Sequence, residues 1–201
     1  MAHPKPGDNA KRMEELDAGV QERYEAGYQA LQAISAAMRS GDQAATEQGL
    51  EAFAQAAPLT REELAQTRDA VHVPADARAL ATAIEAILRR IPDGWGRWLT
   101  MEKGWYPIVV DLDRRLAEVD PGYVLFQAKQ KWGQLCYYYE ASDGALPSAM
   151  EAAVAEAEAR AAVTCEECGS TRDVSLYDDR PYVQTLCRRC AGPGAPGQRR
   201  A

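Results

Sequence analysis

A mainly α-helical α+β fold is what this sequence predicts, and three features predict it. Apolar residues recur at helical spacing from Asp8 to Arg90, an aromatic stretch brackets a Trp-Gly turn between Tyr123 and Glu140, and two Cys-x-x-Cys pairs stand near the C-terminal end. The 201 residues suffice for one large or two small domains, and 46% hydrophobic residues suffice for a core.

Met13, Leu16, Val20, Tyr24, Leu31, Ile34 and Met38 recur every three or four positions, so a long amphipathic helix is expected over 8–39 with these residues on its buried face. Ser40-Gly41-Asp42 then supplies a stop and a cap. Leu50, Phe53 and Ala57 mark the inner face of a second helix, which makes an antiparallel hairpin with the first. After Pro58, Thr60-Arg61-Glu62-Glu63 has the pattern of a capping box, in which hydroxyl and carboxylate each satisfy the other's backbone amide and start a third helix. A fourth is expected over 75–90, with Leu80, Ile84 and Ile87 on one face and Arg89-Arg90 at the negative end of its dipole. Residues 1–92 read as a helical bundle domain.

Ile91-Pro92-Asp93-Gly94 looks like a boundary, because Trp95, Trp98, Trp105 and Trp132, all four tryptophans of the chain, follow it. A helix over 105–119 with Ile108, Leu112 and Leu116 inward stops at Asp120-Pro121-Gly122. The segments 123–129 and 135–140, rich in aromatic and β-branched residues, flank Gln130-Lys131-Trp132-Gly133 and read as a β-hairpin. Trp98, Trp105 and Tyr138 are expected in the core, while Tyr137 and Tyr139 share the strand face opposite Tyr138, so the hairpin carries aromatics on both sides. Ser142-Asp143-Gly144 ends the sheet, and a helix over 145–162 follows with Leu146, Met150, Val154 and Ala157 on its apolar face. Residues 93–162 thus form a small aromatic hairpin and helix unit.

Cys165-Glu166-Glu167-Cys168 and Cys187-Arg188-Arg189-Cys190 each present two sulfurs from one tight turn. Two such knuckles complete the tetrahedron of thiolates that zinc prefers, and the intervening 174–177 and 183–186 can pair as a hairpin. That layout is a four-cysteine zinc ribbon over 163–192, with one zinc ion bound by Cys165, Cys168, Cys187 and Cys190. Four protein ligands leave the metal no open position, so it is structural. A ribbon of roughly 30 residues is too small to hold a core without its metal, so losing a ligand is expected to unfold the chain from Val163 onward and leave the helices before Arg90 intact. Cys136 remains outside the metal set and reads as packing, and 193–201, rich in Gly, Pro and Arg, reads as a disordered tail.

Thirty acidic against 23 basic residues give a net charge of −7, which repels phosphate backbones and anionic membranes as a whole. A nucleic-acid contact would have to be local, on Arg188, Arg189 and the arginine tail, and stands as the alternative role. Trp132 at the hairpin tip, with Lys129 and Lys131 on one strand face, suggests an exposed aromatic and basic patch for a protein partner. No apolar run approaches the roughly 20 residues of a membrane span and the start lacks a signal peptide's apolar segment, so a cytoplasmic protein is expected. No nucleophile elbow, phosphate loop, dinucleotide fingerprint or His-Glu-x-x-His motif occurs, and His3 and His72 are the sole histidines. Asp111 and Asp113, two apart, fall on different faces of a helix. The function expected is that of a non-enzymatic protein-binding or regulatory module.

The run Gly104-Trp105-Tyr106-Pro107, then Asp111-Leu112-Asp113, then Lys129-Gln130-Lys131-Trp132-Gly133-Gln134-Leu135-Cys136-Tyr137-Tyr138 and the two cysteine pairs resembles a family of small uncharacterised bacterial and phage proteins. The resemblance covers about 101–190 and differs from the family pattern at Gln130 and Cys136. It implies a Gly-Trp-aromatic helix, a Lys-x-Lys-aromatic-Gly hairpin and a C-terminal zinc knuckle, and no established activity.

Overall fold

The computed structural model describes residues 7, 10–56, 58–145, 147–178 and 182–192. It is mainly α-helical with two small antiparallel two-stranded sheets, as the sequence leads one to expect. The chain divides into two bodies, one of residues 11–70 and one built from the chain up to Ala10 together with everything from Val71 onward. In chain order the first is therefore an insertion into the second.

The inserted body holds α1 (Ala18–Ser40), α2 (Gln43–Gln55) and α3 (Arg61–Asp69). The helix expected from Asp8 starts later: Met13–Glu15 is a single 3₁₀ turn, and Asp17 breaks the run by turning its carboxylate back onto the amides of Gly19 and Val20. Gly41, left-handed at φ 72°, closes α1, and Asp42 caps α2 through the Ala45 amide. The capping box expected at Thr60 is present, with Thr60 N–H donating to Glu63 and Glu63 N–H to the Thr60 hydroxyl. The expected buried faces are only half realised. Val20, Ala30, Ala37 and Gly49 are buried, whereas Leu31, Met38, Leu50 and Phe53 are exposed. Small residues line the α1–α2 seam, and a Cβ on Gly49 would stand 2.7 Å from Ile34 Cγ1. The close approach puts the large side chains outside the seam.

The second body runs through α4 (Ala81–Arg89), α5 (Tyr106–Val119), β1 (Val124–Lys131), β2 (Gln134–Glu140), α6 (Ser148–Ala162), β3 (Val174–Tyr177), β4 (Gln184–Cys187) and one last turn, α7 (Arg188–Ala191). The helix expected over 75–90 is broken: Ala75–Leu80 is 3₁₀ and Arg78 takes φ 50°, ψ −119°, so only the second half is α. Ile84, Ile87, Leu88 and Ile91 share a single core with Trp105, Ile108, Leu112, Leu116, Tyr137 and Met150, so the expected boundary at residue 92 falls inside this body. Alanines at 153, 157 and 161 give α6 a thin buried face; Leu146, expected on that face, lies outside the described residues, as does the expected tail 193–201.

Trp105 is buried as expected, but Trp98 and Tyr138 are exposed. Tyr138 faces away from Tyr137 along β2, and the core lies on the Tyr137 side. A bulge at Phe126 changes the parity of β1, so that Leu125 and Ala128 both point inward although they are three positions apart. Phe126 packs on Trp95, with ring centroids 4.9 Å apart. The hairpin turn is Trp132-Gly133, both left-handed at φ 58° and 70°, the pattern of a two-residue turn that matches strand twist.

Beneath the hairpin a polar cluster crosses the core. Tyr123 donates to Asp113 at 2.5 Å and shares a 2.8 Å hydrogen bond with the buried Tyr137 hydroxyl, while Arg90 Nε donates to Asp113 at 2.6 Å. The Arg90 guanidinium also lies 4.3 Å from the Tyr123 ring centre. Burial pushes both phenols well above their ordinary range. The cluster ties α4, α5 and both strands together with its polar atoms satisfied.

Candidate metal centre

α6 ends at Ala162 and delivers the chain into the first cysteine knuckle. Cys165 N–H donates to Ser170 O and Gly169 N–H to Cys165 O, both at 2.8 Å, with Gly169 left-handed at φ 75° to close the turn. The second knuckle forms where β4 passes into α7: Cys187 pairs with Val174 of β3, and Arg188 N–H donates to Asp173 O at 3.0 Å. Among the described residues, Cys165, Tyr177, Leu186, Cys187 and Ala191 form the buried apolar cluster at this end of the body.

The two knuckles bring Cys165, Cys168, Cys187 and Cys190 together as the sequence spacing requires. Their sulfurs all lie within 4.8 Å of one another, and among the described residues no other His, Cys, Asp or Glu group is so arranged. None is in a disulfide, and Cys168 and Cys187 stand 3.7 Å apart, far beyond a bonded pair. The four can hold a metal ion. Their environments differ: burial pushes Cys165 and Cys190 up, whereas the Ser170 N–H, donating to the Cys168 sulfur, draws that thiol down to about 7. A cation would reverse this balance, because coordinated thiols are deprotonated outright.

What surrounds the knuckles could not be read from cysteine spacing. Gly104 N–H donates to Glu166 O at 2.7 Å, and the buried Trp105 Nε1 donates to Thr164 O at 2.8 Å, so the start of α5 is bolted to the first knuckle. Gly104 is obligatory here, since a Cβ would lie 2.5 Å from both Glu166 O and Gly169 N and closer still to Cys165 O. The tip of the β1–β2 hairpin is bolted to the ribbon as well: Thr185 Oγ1 donates to Gly133 O at 2.7 Å and Gln130 Nε2 to Val183 O at 2.5 Å. Glu166, 2% exposed, receives Gln184 Nε2 at 2.6 Å, and burial pushes its carboxyl up. The one sequence signal for this seam was the Gly104-Trp105 pair, whose role appears only when α5 meets the knuckle.

The residues expected to meet a partner are placed apart from the cysteines or engaged by them. Trp132 is 70% exposed at the hairpin tip, next to the exposed Lys131. Lys129 lies on the same outer face but is engaged: its ammonium sits 5.2 Å from the Tyr138 ring centre and donates to Gln127 at 2.7 Å. Arg188 and Arg189 are exposed on α7, and Arg189 hydrogen-bonds the Cys168 sulfur, which raises the Arg189 pKa. His72 packs edge-on against Trp98 with ring centroids 5.6 Å apart. No described helix is long and apolar enough to cross a membrane. Comparison of the chain with protein-family models, characterised proteins and solved structures finds no match.

Proposed function

We propose that Cys165, Cys168, Cys187 and Cys190 hold one structural zinc ion, and that the chain is a non-enzymatic protein-binding module whose presented hairpin the zinc keeps in place. The sulfur spacing carries the reading. Zinc–thiolate bonds of about 2.3 Å make a tetrahedron with edges of about 3.8 Å, and Cys168 and Cys187 stand 3.7 Å apart. Four free thiols in such a cluster suit a reducing compartment such as the cytoplasm, and a metal with all four positions filled by protein has no place for substrate. On this reading the chain belongs with the bacterial and phage proteins it resembles.

Elemental analysis of protein purified without chelator should return one zinc per chain and markedly less for Cys187→Ser; wild-type protein free of zinc overturns the metal assignment. The partner surface is Trp132 with Lys131, a large ring held outward by a turn whose carbonyl is anchored to Thr185. Capture from lysate should survive nuclease and fall with Trp132→Ala. Capture abolished by nuclease would favour the nucleic-acid role of Arg188 and Arg189 instead.

A further inference from the structure

The inserted body of residues 11–70 keeps a large apolar surface on one side. On α1, Tyr28, Leu31 and Met38 are exposed, and on α2, Leu50 and Phe53 are exposed. Leu31, Met38 and Leu50 each follow by one residue a buried seam position, Ala30, Ala37 and Gly49, and so turn about 100° away from the seam in the same sense. The two helices are joined through Gly41-Asp42 and run antiparallel, and an equal turn in the same sense carries both rows to the same side of the hairpin. Tyr28 and Phe53, three residues from Leu31 and Leu50, extend the rows along that side. The opposite side carries Gln29, Gln48 and Gln55 among alanines, so the exposed large apolar side chains of α1 and α2 lie on one face of the hairpin.

We propose that this face pairs with the same face of a second copy of the chain across a twofold axis, making a four-helix bundle from two hairpins. A two-helix layer has no interior of its own, and two such layers stacked face to face form the common bundle architecture. Size supports self-pairing. Half-exposed rings and leucines together with Met38 amount to about 500 Å² of apolar surface, at the upper end of what a monomer ordinarily leaves in one patch. With its polar margin the face approaches the roughly 800 Å² per partner that a stable interface buries.

Charge weighs against nucleic acid or an anionic membrane as the occupant, and a second copy, which carries the same excess of acid, fits only if the paired faces bring no acids together. The body carries 11 acidic and 6 basic residues between Lys11 and Ala70, so nucleic acid and anionic surfaces are repelled. A twofold lying in the interface, parallel to the helices, stacks α1 of one copy on α2 of the other. Glu47 and Glu51 then meet the row of Tyr28, Gln32 and Ser35, which brings no like charge against them.

Light scattering and sedimentation of the full chain at rising concentration test the idea. Wild-type protein should approach twice the 22.0 kDa chain mass. Leu31→Glu and Leu50→Glu, on exposed positions, should run at the single-chain mass with unchanged helical circular dichroism, while Gln29→Glu on the opposite side stays paired. A milder Met38→Gln, which disturbs only the most exposed position, should weaken pairing by at least about tenfold. Wild-type protein that remains single at about 100 µM overturns the proposal. So does a paired state untouched by Leu31→Glu, Leu50→Glu and Met38→Gln, which would lie on another surface.

Discussion

Gly104 shows how a single hydrogen atom decides whether the knuckle can close. Its backbone passes so near Cys165, Glu166 and Gly169 that the three nearest neighbours of an added methyl are all main chain, which has no rotamer by which to yield. Gly104→Ala is therefore expected to cost about 1–3 kcal/mol of stability, the usual scale for overpacking, and to loosen the metal in the same step. Thermal melts with and without chelator check both parts. An unchanged melting temperature together with unchanged zinc retention would show that the seam between α5 and the knuckle is not as tight as drawn. Gly49 makes the contrasting case, because its Cβ would meet the Ile34 side chain first, with backbone no nearer than 3.2 Å.

Among the elements, the α1–α3 contact is held by an ion pair whose strength can be read by titration. Arg23 reaches both carboxylate oxygens of Glu63, with Nη1 3.1 Å from Oε2, and Glu63 also accepts the Thr60 amide. The hydrogen bond from Arg23, and after it that from Thr60, draws the Glu63 carboxyl from its usual 4.5 down to about 2. A depressed folded pKa means that the contribution is fully present above pH 4.5 and is lost as pH falls through about 2. An NMR titration of Glu63 should have its midpoint near 2 and return toward 4.5 in Arg23→Ala. A wild-type midpoint near 4.5 would remove the pair from the account of how α3 is fixed.

Over the whole molecule, the two bodies and the bolts around the cysteines decide how far loss of the proposed metal would spread. The sequence leads one to expect damage confined to residues from Val163 onward. The structure widens that: Gly104 and Trp105 hang on the first knuckle, and Gln130 and Gly133 hang on Val183 and Thr185 at the start of β4. Chelation should therefore cost hydrogen-exchange protection in 163–192 and also in 102–105 and 130–134, while α1–α3, held by contacts of their own, keep theirs. Loss of protection throughout α1–α3 would mean that the bodies fold as one.

Short-range sequence signals were enough to find the four clustered cysteines, the mixed helical fold, the Thr60 capping box and the hairpin around Trp132-Gly133. These depend on residues within a few positions of one another, where backbone geometry leaves few choices. The sequence misplaced Leu31, Met38, Leu50, Phe53, Trp98 and Tyr138, because periodicity reports which residues share a face and is silent on whether anything covers it. The break at Arg78, the bulge at Phe126 and the seam through Gly104 were decided by tertiary structure alone. Gly104 answers to the main chain of a knuckle some sixty residues on, whereas Arg78 and Phe126 interrupt a helix and a strand at positions that local periodicity leaves unmarked.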